Sequence, residues 1–269
     1  MEDEIQQPKP YSEVLPVYGH HDLREFLHDA TDLVANTEYE TVRRGMRDVD
    51  RYHLTAKDYD TKIDRVMRDG LVFLPVYRIK AYNGFSHTHE SVPELGIDTM
   101  VYGVVARDLD VAKSFVDANK AKPGVDHANI GEMLGYPECC RSSFDEFWKK
   151  SYDPIYEMAE NTPGCEVDGN KITITGGNPR LYSHLRYFGL RIIPWFPCSY
   201  ECEESIELSD KWLSVMRDIN SELTDKVLEL MSMPSSWDLL NAQIVVSHPH
   251  FMGRATSYYT EDHKIVMFE

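Results

Sequence analysis

The adjacent pair Cys139-Cys140 and the spaced pair Cys198/Cys202 are the residues whose type and placement point most directly to chemistry. Each pair follows a proline: Gly135-Tyr136-Pro137-Glu138-Cys139-Cys140 in one segment, Pro194-Trp195-Phe196-Pro197-Cys198-Ser199-Tyr200-Glu201-Cys202 in the other. Proline fits the first helical turn, where its missing N–H would have had no partner. Both segments therefore read as helix starts. There the backbone N–H groups and the dipole stabilise negative charge and lower thiol pKa, and the thiolate is the form that binds metal. Cys198 and Cys202, four apart, would share one helix face. Adjacent Cys139 and Cys140 diverge, which suits a cubane more readily than one tetrahedral ion. Neither segment has the C-x2-C knuckle usual in four-cysteine zinc sites. The expectation is an iron–sulfur cluster of the 4Fe–4S type on Cys139, Cys140, Cys198 and Cys202. Zinc on the same thiols and a thiol–disulfide couple are the alternatives.

Other groups could serve such a site. His127, in Asp126-His127-Ala128-Asn129, is a candidate fifth ligand or acid/base group; the plainer account is an Asp helix cap beside a surface histidine. Arg180, Arg186 and Arg191 lie between Pro179 and the second cysteine segment and could hold an anionic substrate, or form surface ion pairs. His127, Arg180 and Arg186 are thus the catalytic candidates. Gly176-Gly177-Asn178-Pro179 could cradle a phosphate, but lacks the Lys-Ser/Thr of a P-loop and the Rossmann spacing. His87 and His89, with Glu90, make a metal-compatible His-x-His pair; His248 and His250 could line a pocket. His184 and Cys165 read more plainly as structural, and His20-His21 as ordinary helix-start sequence. There is no Gly-x-Ser-x-Gly elbow, no His-Glu-x-x-His and no radical-type Cys-x3-Cys-x2-Cys triplet.

Leu134-Gly135-Tyr136-Pro137-Glu138-Cys139-Cys140 with Phe144, and Pro197-Cys198-Ser199-Tyr200-Glu201-Cys202 with Glu204-Ser205, resemble the motifs of an uncharacterised, mainly archaeal and viral family known only as a domain of unknown function. The resemblance covers roughly residues 125–250. It implies that the four cysteines act as a unit and carries no activity with it.

These groups need elements to position them. Helical spacing of apolar residues predicts helices over 20–35 and 109–120, and a polar helix over 39–51 and a third over 57–69 are expected between them. Apolar runs at 71–79 and 100–106 predict buried strands, and a strand followed directly by a helix suggests an α/β unit. A short helix over 126–134 ends at Gly135, and a further one runs over 139–150. Residues 166–175 read as a hairpin turning at Asp168-Gly169-Asn170. A helix over 180–189 and a strand over 190–195 precede a long helix from Cys198 to about Met231, which Pro234 and Ser235-Ser236 end. Strands at 242–246 and 265–268, joined by a long turn, close the chain. Residues 1–19 read as an extended arm. The fold expected is α/β or α+β, helix-rich, with a small mixed sheet and the cysteine site between helix N-termini. Its parts are an N-terminal helical and α/β part over 1–122 and a cysteine-motif part over 123–269, or one continuous domain.

The 269 residues, 42% hydrophobic, can bury a core. No apolar run approaches the roughly 18–20 residues of a membrane helix, and the polar start lacks the features of a signal peptide. A cytoplasmic protein with no membrane partner is expected. The 45 acidic against 28 basic residues, a net charge of -17, disfavour nonspecific nucleic-acid binding or mark a high-salt surface. Five cysteines are too few for a secreted disulfide scaffold of this length. The function expected is a metalloprotein enzyme whose cluster transfers electrons or activates sulfur or substrate. The alternatives are a non-catalytic binding protein stabilised by zinc, and a redox thiol protein.

Overall fold

The structure, a computed structural model, describes residues 23–80, 99–121, 125–150, 154–186, 189–238, 243–247, 253–257 and 264–268. The chain begins with helix α1 (Leu23–Arg43), strand β1 (Val49–Thr55), α2 (Tyr59–Arg68), β2 (Val72–Lys80), β3 (Thr99–Ala106) and α3 (Leu109–Asn119). The three strands form a sheet in the order β1-β3-β2, with β3 antiparallel to both neighbours. Residues 101–106 are buried, because helices cover both sheet faces. Val104 and Ala106 pack with Phe115 of α3, and Val105 packs with Tyr39 and Val42 of α1 and Val66 of α2.

Next come α4 (His127–Met133), α5 (Glu138–Lys150), α6 (Pro154–Glu160), and the hairpin β4 (Glu166–Asp168) and β5 (Lys171–Ile174). A 3-10 turn, Pro179–Leu181, precedes an irregular stretch, then α7 (Glu203–Met231). Strands β6 (Ser235–Asp238), β7 (Gln243–Val246), β8 (Gly253–Ser257) and β9 (Lys264–Phe268) follow. The second sheet runs β4-β5-β6-β7-β9-β8 and is mixed: β7 and β9 are parallel, the other neighbours antiparallel. Its register lines up Ile172, Trp237 and Ile244, all buried, across β5, β6 and β7. That row joins the largest core, with Leu27, Ala30 and Leu33 of α1, Trp212, Leu213 and Met216 of α7, and Cys140. The expected helix-rich α/β architecture with a small mixed sheet is present.

Several elements differ from the sequence reading. The two helices expected over 20–35 and 39–51 are one, α1, because nothing between them interrupts the helix. It ends at Gly45, whose φ of 70° is the left-handed conformation of a helix C-terminus. Residues 49–55 are then a strand, since β3 offers them a full ladder from Val49↔Ala106 to Thr55↔Met100. Of the helix expected over 180–189, residues 180–181 lie in the 3-10 turn and residues 187–188 lie outside the described residues; Tyr182 leaves the turn with extended backbone and donates its hydroxyl to the Gly176 carbonyl at 3.0 Å. Residues 190–195 form bends rather than a strand. The Arg186 guanidinium takes the Pro194 and Trp195 carbonyls that a ladder would need, at 2.9 and 3.3 Å. Residues 235–238, expected only to end the long helix, form β6 between two partners.

Candidate metal centre

The four paired cysteines converge. All four Sγ atoms lie within 4.8 Å of one another and could hold a metal ion. Cys139 and Cys140 are 3.8 Å apart, Cys139 and Cys202 3.6 Å, and Cys140 and Cys202 3.7 Å. Cys140 and Cys202 are buried, Cys139 and Cys198 half-buried.

Two differently built supports bring them together. Cys139 and Cys140 are the second and third residues of α5, directly after Pro137, as the sequence predicts. Gly135, at φ 74°, ends α4, and the Tyr136 N–H donates to the Gly131 carbonyl at 2.9 Å. This reverses the chain into α5. The Tyr136 ring then packs on Trp195, centroids 5.5 Å apart. The second support is not the helix that was expected. Cys198 lies in a loop before α7, and Cys202 is the N-cap residue of that helix. The two thiols therefore do not stack on one helix face; a folded-back loop brings them together.

That loop is fastened at Cys198 and Tyr200. Asn161 Nδ2 donates to the Cys198 carbonyl at 3.4 Å, the Tyr200 N–H to Thr162 Oγ1 at 2.8 Å, and the Asn178 N–H to the Tyr200 carbonyl at 2.7 Å. A Cβ on Gly177 would sit 2.4 Å from Tyr200 Cβ, and one on Gly176 only 2.1 Å from the Pro163 carbonyl oxygen. Gly177 is thus needed for close packing against the loop and Gly176 for close packing against residues 163–165.

A second layer orients the thiols. Trp195 Nε1 donates to Ser205 Oγ at 2.9 Å, and Ser205 Oγ lies 3.2 Å from Cys140 Sγ. The Cys198 N–H also points at Cys140 Sγ, 3.4 Å away. Glu204 Oε2 lies 3.6 Å from Cys139 Sγ. Trp195 packs edge-on against Trp212, and Arg47 lies over the Trp212 ring at 5.0 Å.

The crowding divides the thiols electrostatically. Hydrogen bonding from Cys140, aided by Ser205, brings Cys202 down to about 4 despite its burial. Burial and contact with Cys202 push Cys139 up to about 12. Cys140 is raised chiefly by its bond to Cys202, and Cys198 by burial and the Cys202 charge. A cation among them would replace the remaining protons, since metal ligation needs thiolates.

The other sequence candidates are dispersed. Asp126 caps α4 by accepting from the Asn129 N–H at 3.1 Å, and His127 is exposed with its ring 5.8 Å from Phe144, so the plainer account of that segment holds. Arg186 is buried, its guanidinium 3.8 Å above the Phe196 ring, where it braces the segment leading to Cys198. Arg191 pairs with Glu38 at 2.6 Å. Arg180 pairs with Asp210 and lines an open cleft of about 570 Å³ shared with Asn178, Glu201 and Ile206. His184 is wholly buried, and neither ring nitrogen has a partner among the described residues. Cys165 Sγ is 3.6 Å from the Gly176 carbonyl and outside the thiol group. His20, His21, His87, His89, His248 and His250, and the arm over 1–19, lie outside the described residues. Sequence reasoning assigned no role to Trp195, Ser205 or Thr162, which orient the centre, although Glu204-Ser205 follow the second motif directly.

No helix of the described residues is long and apolar enough to cross a membrane. No family model, no curated protein and no solved structure matches the chain, so the four-cysteine centre is read from its own geometry.

Proposed function

We infer that this chain is a zinc protein in which one ion, held by Cys139, Cys140, Cys198 and Cys202, fastens the start of α5 to the loop and N-cap of α7. The observation that carries this reading is the sulfur spacing. A zinc ion about 2.3 Å from each of four thiolates holds them about 3.8 Å apart, the edge of a tetrahedron. The separations among Cys139, Cys140 and Cys202 are 3.8, 3.6 and 3.7 Å, and Cys198 Sγ lies within 4.8 Å of each. A 4Fe–4S cubane puts each thiolate on a different iron and so needs wider sulfurs, which is why the spacing favours one ion over the cluster expected from the adjacent pair. Four protein ligands leave no coordination position for water or substrate, the pattern of a structural site. The burial of Cys140 and Cys202 inside the main core fits that role. The ion supplies a fixed crosslink; the chain's own residues orient the thiolates, with Ser205 and the Cys198 N–H on Cys140.

Purification without added metal, followed by elemental analysis and an absorption spectrum, tests the reading. The expected result is one zinc per chain and no visible colour. A brown protein with about four irons per chain would restore the cluster. Cys140→Ser and Cys202→Ser are each expected to abolish bound zinc; retention at full stoichiometry in either variant removes that residue from the ligand set.

A further inference from the structure

The four thiolates are not equivalent, and the difference suggests what the centre does beyond crosslinking. Cys140 is buried and receives the Ser205 hydroxyl and the Cys198 N–H. Cys202 is buried at the helix start. Cys198 has its carbonyl held by Asn161. Cys139 is half-buried, and its polar neighbour beyond the other thiols is a carboxylate, Glu204 Oε2, at 3.6 Å. Glu204 is exposed and follows the ligand Cys202 by two residues, in the first turn of α7. That turn thus touches the centre three times: Cys202 as a ligand, Ser205 on Cys140, and Glu204 on Cys139.

Resting on the zinc reading, we propose that Glu204 is a reserve ligand and that Cys139 is the thiolate the centre gives up. Once Cys139 is ionised on zinc, the carboxylate beside it is a like charge, and this repulsion falls on Cys139. Carboxylate oxygen binds zinc at about 2.0–2.2 Å, and a glutamate side chain with three rotatable bonds can cover the short distance to the vacated corner. Exchange keeps the ion four-coordinate and keeps its ligand charge unchanged when Cys139 becomes neutral. The centre then has two states: a closed one with four thiolates, and one with three thiolates and Glu204 in which Cys139 has left the zinc. The chemical class that drives the exchange is a soft electrophile. With iodoacetamide, the Cys139 sulfur forms a bond to the methylene carbon and iodide leaves with the electron pair of the broken C–I bond. The thioether formed is neutral and a poor zinc ligand, and Glu204 takes its place.

A double-mutant cycle read by chelator competition for zinc tests this. Cys139→Ala is expected still to bind one zinc, and Glu204→Gln alone to leave affinity nearly unchanged. Glu204→Gln placed in the Cys139→Ala chain should weaken binding about tenfold or more, the scale seen when a partner of a metal centre is lost. Equal effects of Glu204→Gln in both backgrounds, or a Cys139→Ala chain without zinc, overturn the proposal. Because Cys139→Ala can disturb packing, the native chain supplies a second readout. Iodoacetamide should modify Cys139 first without releasing zinc, and should release zinc once Glu204 is Gln. Modification of another cysteine first, or equal release from both chains, overturns it. A native chain with no zinc at all overturns both this proposal and the reading beneath it, whereas zinc present with equal effects overturns this proposal alone.

Discussion

Ser205 shows how one hydroxyl can decide the quality of a centre. It lies between a buried indole N–H and the deepest thiol, so both Trp195 and Cys140 depend on it. Ser205→Ala leaves the indole N–H without its acceptor in the core, a loss of about 1–3 kcal/mol. It also removes a group that orients a ligand, which typically weakens metal affinity about 10–100-fold. Urea unfolding of the zinc-loaded chain and chelator competition measure the two effects separately. His184 permits a prediction with a definite sign. Burial lowers its pKa from 6.5 to about 3, so the fold holds it neutral while the unfolded chain protonates it near its ordinary value. Its contribution to stability is therefore complete above about pH 6.5 and is lost as pH falls towards 3, with a slope of up to about 1.4 kcal/mol per pH unit. Asp50 acts in the opposite sense between its ordinary 3.8 and about 6, because burial raises its carboxyl. The comparison of native chain and His184→Leu isolates the histidine: the difference in stability between them should change with pH below 6.5 and be constant above it. A constant difference down to pH 4 would refute it.

Among elements, the junction of α1, β1 and α7 is held by a buried guanidinium. Arg47 donates to Asp50 at 2.7 Å, to Thr41 Oγ1 at 2.8 Å and to the Glu38 carbonyl at 2.8 Å, while lying over Trp212. Asp50→Asn would remove the carboxylate that pairs directly with Arg47 in the core, leaving the Glu38 charge as its counter-ion. The expected loss is about 3–5 kcal/mol, read as a lower urea midpoint with an unchanged slope. Helix α7 is itself two pieces. Asn220 has φ -157° and ψ 97°, and its side chain accepts from the Leu223 N–H at 3.0 Å, acting as the N-cap of the second piece. Asn220→Ala should destabilise by about 1 kcal/mol. The first piece starts at the four-thiol group and the second at Asn220, so the two stabilise separate pieces of one long element.

At the level of the whole molecule, the zinc reading links the metal to folding. The centre joins residues 139–140 to 198–202, and the loop between the supports carries α6 and the β4–β5 hairpin. An ion that binds only the folded chain stabilises it by about 4 kcal/mol at a thousandfold excess over Kd. A chelator should therefore lower the melting temperature, and hydrogen exchange should rise first in residues 194–202, where Pro194 and Pro197 and the irregular backbone provide few main-chain bonds of their own. Unchanged exchange in that loop after zinc removal would show that the hydrogen bonds from Asn161, Thr162 and Asn178 suffice to hold it.

The sequence by itself determined which residues form the centre. Proline-led cysteine pairs are a local signal, and helix α5, the Asp126 cap and the Gly135 stop follow from local propensity. The elements with strong apolar periods, β2, β3 and α3, were equally legible. The tertiary structure decided the rest. Whether adjacent Cys139 and Cys140 can share one ion depends on where Cys202 stands, and that is set by a loop pinned from residues 161, 162 and 178. Strands β1 and β6 exist because partners offer them ladders, and 190–195 is no strand because Arg186 takes its carbonyls. Spacing along the chain constrains which side chains can meet, but sulfur-to-sulfur distances are fixed by packing between elements remote in sequence.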